Sequence, residues 1–227
     1  MKEKILEMLE LQDTFNSYAS WDDWRKWISN KWKIINWRRC IYMELAEAID
    51  SMSWKHWKNI DWGIDYKNFK VEIIDVWHFV MSELEIYYTN EELVELILKY
   101  INEKSEVKLP LNWKKEDNIN LDKIVKPYED LMLSTLIVRT KSDLELFLKR
   151  FFIALDTTSI NFDDLYKLYI WKNVLNKFRQ DNWYKEWKYI KIWNWEEDNV
   201  IMQKIIENTS WFENIYKSLG EVYKTLK

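Results

Sequence analysis

Apolar residues recur along this chain at helical spacing, three and four positions apart, almost from end to end. Residues 2–19 form a first predicted helix, with Ile5, Met8, Leu9 and Phe15 as its apolar stripe. A polar, tryptophan-rich stretch over 21–36 reads as a loop. The second helix runs from Trp37 to Met52, and residues 54–65 connect it to a third from Tyr66 to Tyr88. There Phe69, Ile73, Trp77, Val80 and Leu84 make the core stripe, while Glu72, Asp75 and Phe79 lie toward another face. Asn90 reads as the N-cap of a fourth helix, EELVELILKYI, and Pro110 closes the region after it. Helices follow over 121–139, over 142–156 opened by Ser142, over 161–179, near 200–207 and over 211–225. The stretch 181–199 is polar, aromatic and lysine-rich, and too long for a simple connector, which marks a candidate functional loop. No strand alternation and no internal repeat interrupts this. The expected fold class is all-α, a single-domain helical bundle over residues 1–227 with a mobile helical lid portion.

Composition narrows the function classes. With 34 basic and 38 acidic residues the net charge is −4, which gives no general reason to expect nucleic acid as a partner. The single cysteine, Cys40, excludes an intrachain disulfide and fits a reducing compartment. The start, MKEKILEMLELQ, is charged and amphipathic without an apolar signal core, and no stretch approaches the apolar length of a membrane span. The expectation is a cytoplasmic protein with no membrane partner.

Four acids carry the first chemical signal. Glu44 and Glu47, then Glu72 and Asp75, are each spaced i,i+3, so both carboxylates of a pair share a helical face. The stretch between the pairs is long enough to finish one helix, turn and start an antiparallel neighbour. Four carboxylates would then converge, and like charges this close need a cation among them. Oxygen-only ligation suits Mg²⁺ or Mn²⁺, which commonly also hold phosphate. Taken as isolated motifs, ExxE and ExxD also occur on solvated helix faces. The apolar neighbours Ile41, Leu45, Ile73 and Trp77 favour the buried, partnered reading. Cys40, His56 and His78 lack zinc-ligand spacing, and the absence of a glycine-rich run excludes a P-loop.

The strings around these acids resemble a known family. WRRCIYMELAEAIDS, WKHWK and VEIIDVWHF look like the all-α dimeric dUTPases, of the all-α nucleoside triphosphate pyrophosphohydrolase superfamily. LQDTFN, residues 11–16, is similar to their first motif, and residues 172–199 to their phosphate-gripping and lid segment. Residues 90–155 match weakly and read as helical scaffold. The resemblance implies an Mg²⁺-dependent dUTP diphosphatase giving dUMP and pyrophosphate, with dUDP as a further substrate. It also implies a homodimer with sites completed across the interface. Residue by residue, Glu44, Glu47, Glu72 and Asp75 would be the metal ligands, and Glu44 would orient the attacking water. Gln12 and Asn16 would hydrogen-bond the uracil edge, Trp57 would help form the base pocket and His78 would contact the 3′-hydroxyl. Phe79 would pack on the deoxyribose and leave no room for a 2′-hydroxyl. Lys172, Asn176, Arg179, Tyr184 and Lys191 would hold phosphate oxygens, and Asn199 would be a further base contact. Read without the resemblance, His78 is an ordinary structural histidine, Trp57 and Phe79 are core aromatics, and 172–191 is a solvated helix end and loop. Alternatives to dUTP hydrolysis are a related pyrophosphohydrolase acting on dCTP or another nucleotide, and a non-catalytic helical binding module whose tryptophans stack on bases or sugars.

One count stands apart. The chain has 16 tryptophans and 2 glycines, where about 7% glycine is ordinary. Trp171, Trp183, Trp187 and Trp195, with Trp27 and Trp32, fall where the dUTPase pattern has glycine. Trp37, Trp54, Trp57, Trp77 and Trp193 fall where it has tryptophan. Asn182-Trp183 and Asn194-Trp195 occupy contexts where Asn-Gly is expected. Some bacterial lineages read UGA as glycine, and another common code reads it as tryptophan. A gene of the first kind translated by the second code would give this composition.

Overall fold

The computed structural model describes residues 1–20, 24–29, 32–57, 64–109, 121–208 and 212–226. Pro110 and Lys58 of the WKHWK string lie outside the described residues. The chain forms two compact units, Met1–Tyr166 and Lys167–Lys227.

The first unit is helical throughout. In chain order its helices are α1 (Lys2–Ala19), α2 (Trp37–Asp50), α3 (Tyr66–Leu84), α4 (Asn90–Tyr100), α5 (Leu121–Ile137) and α6 (Lys141–Thr157), with the start of α7 (Phe162–Asp181). The all-α expectation is met. A short 3₁₀ turn, Trp24–Lys26, and an isolated bridge between Ile28 and Ile34 occupy the stretch expected to be loop. Side-chain caps start the helices: Asn36 accepts from the Arg39 N–H before α2, and Asp65 from the Asn68 N–H before α3. Two starts differ from expectation. Thr89, not Asn90, caps α4 in a reciprocal box with Glu92, and Thr140, not Ser142, caps α6 with Asp143. In each case the threonine pairs with an acid three residues on. α3 ends four residues before the expected Tyr88, and Glu85 caps it.

α2 packs on α3 and α5, and α6 packs on α5 and α4. The core stripe expected on α3 is the observed one, with Phe69, Ile73, Trp77, Val80 and Leu84 all buried. Trp77 stacks on Phe151 of α6 with ring centroids 5.0 Å apart. Tyr128 of α5 is fully buried, and its hydroxyl donates to the Ala154 carbonyl at 2.6 Å. α1 departs from the expected stripe. Beyond Ile5, Met8 and Leu9 its buried positions are Gln12 and Asn16, whereas Phe15 is half-buried. A helix that buries two amides in place of an aromatic ring must supply them with partners.

The second unit contains the rest of α7, a 3₁₀ turn (Tyr184–Glu186), a two-stranded hairpin β1 (Ile192–Trp193) and β2 (Glu196–Glu197), then α8 (Asp198–Asn208) and α9 (Phe212–Lys224). Its apolar core gathers Leu175, Phe178, Trp193, Leu219 and Tyr223. The stretch expected as a functional loop is thus partly ordered, with Trp193 fully buried as one of its anchors.

Seven non-glycine residues among those described have positive φ, and five are tryptophan: Trp27 (64°), Trp32 (57°), Trp183 (67°), Trp187 (59°) and Trp195 (73°). Trp27 and Trp187 follow 3₁₀ turns, and Trp183 follows the end of α7. The residue just past a helix end is a common left-handed position, and glycine is its usual occupant. Asn194 (49°) and Trp195 form the two-residue connection of the hairpin, both left-handed, as a type I′ turn requires. Trp32 donates its N–H to the Ser29 carbonyl, inside a turn closed by Ser29 N–H on Lys33 O. Left-handed backbone costs a residue with a Cβ about 1–2 kcal/mol. Five such residues carry a strain comparable with the whole stability of a domain, about 5–15 kcal/mol. Packing offsets little of it, because Trp32, Trp183, Trp187 and Trp195 are exposed, Trp195 at 98%.

Candidate active site

Adjacent packing of α2 and α3 sets one face of each helix opposite the other. Glu44 of α2 and Glu72 and Asp75 of α3 each place a carboxylate oxygen within 4.8 Å of the other two. Their backbone positions follow from the apolar neighbours: Ile41, Leu45 and Ala48 anchor α2, Phe69, Ile73 and Val76 anchor α3, and the acids occupy the rim of that contact. Glu72 is only 9% exposed. Glu47 is exposed and stands outside this triad, but with Glu72 it lines an adjoining cavity of about 470 Å³. Asp50, Ser51, Asp65 and Asn68 line the same cavity, and Asn68 Nδ2 donates to Ser51 Oγ at 2.8 Å, tying its two walls together. The donor set is three hard carboxylate oxygens, which suits a divalent cation of the Mg²⁺ or Mn²⁺ type. Cys40 lies one turn before Glu44, and burial, reinforced by the Glu44 carboxylate, pushes its thiol up to about 11.

α3 continues the polar stripe upward through His78 and Ser82, meeting Gln12 and Asn16 of α1. All four are buried. Gln12 Oε1 lies 2.7 Å from His78 Nδ1, and Gln12 Nε2 donates to Asn16 Oδ1 at 3.1 Å and to Ser82 Oγ at 2.9 Å. Asn16 Nδ2 also donates to Ser82 Oγ, at 2.9 Å. The sequence reading names three members of this network and omits Ser82. Its spacing of four from His78, on the face of Asp75, is the signal that could have found it.

Of the two aromatics, Phe79 is half-buried and stacks on Trp37 with centroids 5.9 Å apart. Trp57 is 61% exposed and packs edge-on against Trp54, which lines the cavity. Below Ser82, two further acids are buried at the end of α3. Glu83 pairs with Arg38 Nε at 3.2 Å, and burial pushes its carboxyl up to about 7. Glu85 faces Arg25 at 3.6 Å and is pushed by burial to about 8.

The second unit brings together most of the residues expected to hold phosphate. Lys172 Nζ donates to Asn199 Oδ1 at 3.0 Å, and Arg179 donates to Asn176 Oδ1 and Asn199 Oδ1. The guanidinium fork of Arg179 is engaged by Asp198, with two hydrogen bonds of 2.8 Å. Tyr189 donates to the same carboxylate at 2.7 Å. Asp198 and Tyr189 are absent from the sequence reading, although Asp198 adjoins Asn199. Burial alone would raise the Asp198 carboxyl, but the Arg179 hydrogen bonds and charge hold it below its ordinary value. Tyr184 is exposed, with the Arg179 guanidinium 5.9 Å from its ring centroid. Lys191 pairs with Glu197 at 3.3 Å.

A search of curated proteins finds no match to this chain. A family model described as dUTPase matches residues 4–184, most of the chain. The matched span contains Gln12, Asn16, the acid triad, His78, Ser82, Lys172, Asn176, Arg179 and Tyr184, whereas Lys191 and Asn199 lie beyond it. Members of the family generally use a divalent metal, and the triad is a cluster of matching chemistry. The chain belongs to the dUTPase family and is a dUTP diphosphatase.

Proposed function

We propose that this enzyme hydrolyses dUTP to dUMP and pyrophosphate with Mg²⁺, that Mn²⁺ can replace Mg²⁺, and that dUDP is a second substrate. The observation that carries the reading is the convergence of Glu44, Glu72 and Asp75, with Glu72 also lining a cavity of about 470 Å³. Glu47, on the cavity wall, completes the ligand set. Held by these carboxylates, a divalent ion would neutralise phosphate charge and make the attacking water more acidic. Glu44 orients the attacking water. The water oxygen bonds to a phosphorus of the α–β bridge as that phosphorus's bond to the bridging oxygen breaks, the water's proton passes to solvent, and dUMP and pyrophosphate separate.

Gln12 and Asn16 read the base edge, His78 contacts the 3′-hydroxyl and Phe79 packs on the deoxyribose. Trp57, with Asn199, assists at the base. The rise along α3 from Glu72 to Ser82 is about 15 Å, a distance suited to a nucleotide extended between acids and amides. Lys172, Asn176, Arg179, Tyr184 and Lys191 hold phosphate oxygens, and the close grouping of the first three supports that role. A homodimer is supported by Leu133, Leu136 and Ile137, an exposed apolar stripe on one face of α5. No helix among the described residues is long and apolar enough to cross a membrane, and we place the enzyme in the cytoplasm, where it keeps uracil out of DNA and supplies dUMP.

Pyrophosphate release from dUTP, dCTP and UTP, each with and without Mg²⁺, tests the reading. Mg²⁺-dependent turnover of dUTP well above the other two is expected. Preference for dCTP would transfer the enzyme to another substrate, and turnover in chelator would remove the metal.

A further inference from the structure

We infer that Ser82 is a positioning residue that fixes base choice, an inference that rests on the reading of Gln12 and Asn16 as base contacts. Ser82 Oγ lies 2.9 Å from the His78 carbonyl oxygen, which can only accept, so the single hydroxyl proton is used there. Both remaining partners of that oxygen must then be donors. This turns the NH₂ groups of Gln12 and Asn16 toward Ser82 and holds them there. With Gln12 Nε2 committed to Ser82 and Asn16, Gln12 Oε1 faces His78 Nδ1, so Nδ1 carries a proton and donates to it. One hydroxyl thus orders two amides and one imidazole tautomer. Uracil presents N3–H as a donor beside carbonyl acceptors, and cytosine presents N3 as an acceptor beside an amino donor. An amide free to flip serves either pattern, and an amide locked by Ser82 serves one.

Ser82→Ala tests this. The ratio of kcat/KM for dUTP over dCTP is expected to fall about tenfold or more. Mg²⁺ dependence should persist, and Ser82→Thr should restore the ratio. A readout independent of turnover is the ¹⁵N signature of the His78 ring, expected as the Nδ1–H tautomer in the unaltered protein and as a mixture in Ser82→Ala. An unchanged ratio, or an Nε2–H tautomer in the unaltered protein, overturns the role of Ser82 alone. An unaltered enzyme without preference for dUTP overturns both this inference and the base-reading assignment beneath it.

The left-handed tryptophans support a second inference independently. We propose that positions 27, 32, 183, 187 and 195 are glycine in the protein the cell makes, encoded by UGA. Among the described tryptophans, the fully or nearly fully buried ones and those at positive φ are different residues, while Trp54 and Trp57 are exposed without positive φ. Trp24, Trp37, Trp77 and Trp193 are buried and none has positive φ. The five at positive φ occupy turn and helix-end positions that glycine fills without strain, and four of them leave their indoles in solvent. Trp171 lies within α7, where no backbone argument applies. Three of the five, Trp183, Trp187 and Trp195, fall within the segment between α7 and α8, so the change would free that segment of its bulkiest exposed side chains. The gene should carry UGA at these five codons and UGG at the four buried positions, and UGG at any of the five overturns the assignment there. As a second measurement, Trp195→Gly should raise Tm by roughly 2–4 °C while Trp195→Ala, which keeps the Cβ, gains less. A lower Tm for Trp195→Gly overturns the proposal at that turn.

Discussion

Arg179 grips Asp198 through two hydrogen bonds of 2.8 Å, from Nε and Nη2, with the carboxylate fully buried and Tyr189 donating to one of the same oxygens. This fork joins the end of α7 to the start of α8. Its rigidity holds Lys172, Asn176 and Asn199 in one group. Asp198→Ala leaves the Arg179 charge largely buried without its counterion, and should destabilise the folded chain by about 3–5 kcal/mol, measured by denaturant unfolding. The Asp198 carboxyl is held below its ordinary value. Its contribution is therefore present at neutral pH and lost as pH falls through that depressed value.

Glu83 and Glu85 act in the opposite sense. Their folded carboxyls titrate near 7 and near 8, against an ordinary 4.5. Between those values the folded chain keeps protons that the unfolded chain releases. Stability should fall as pH rises from about 4.5 to about 8 and level off above that. Glu83→Gln with Glu85→Gln should flatten the slope, read as unfolding free energy across the pH range. An unchanged slope would mean that other groups set it.

Trp77→Ala removes the largest fully buried side chain of the α3 stripe and its stacking on Phe151. A loss of about 3–5 kcal/mol is expected by chemical denaturation. A loss under about 1 kcal/mol would contradict the packing described.

Phe79→Ala should raise kcat/KM for UTP relative to dUTP by about tenfold or more, because the side chain assigned to exclude a 2′-hydroxyl is gone. Its stack on Trp37 holds the ring in place. The pair of substrates should therefore be compared at equal folded fraction, checked by circular dichroism. An unchanged ratio would limit Phe79 to packing.

Much of this arrangement is legible in the residues. The i,i+3 spacing of Glu72 and Asp75, with the core stripe from Phe69 to Leu84, already fixes which face of α3 meets α2. The convergence of Glu44 on them follows from antiparallel pairing. What the pattern misses is long-range or purely geometric. The burial of Gln12 and Asn16 in place of Phe15 depends on Ser82, which lies on a different helix 66 and 70 positions away. The fork between Arg179 and Asp198 crosses a hairpin that no strand alternation announces, because two-residue strands are too short to show a period. Thr89 and Thr140 outrank the expected caps because each is followed three residues later by an acid, a signal present in the sequence one position from Asn90 and two from Ser142.

The most direct test of the account is pyrophosphate release from dUTP across an Mg²⁺ titration, for the unaltered enzyme and for Glu44→Gln, Glu72→Gln and Asp75→Asn. Each variant keeps size and loses one ligand charge. The account predicts saturable Mg²⁺ dependence in the unaltered enzyme and a loss of at least about 100-fold in rate for each variant, with the fold intact. Variants that keep the unaltered rate and the same Mg²⁺ dependence would contradict the claim that these three carboxylates form the metal centre.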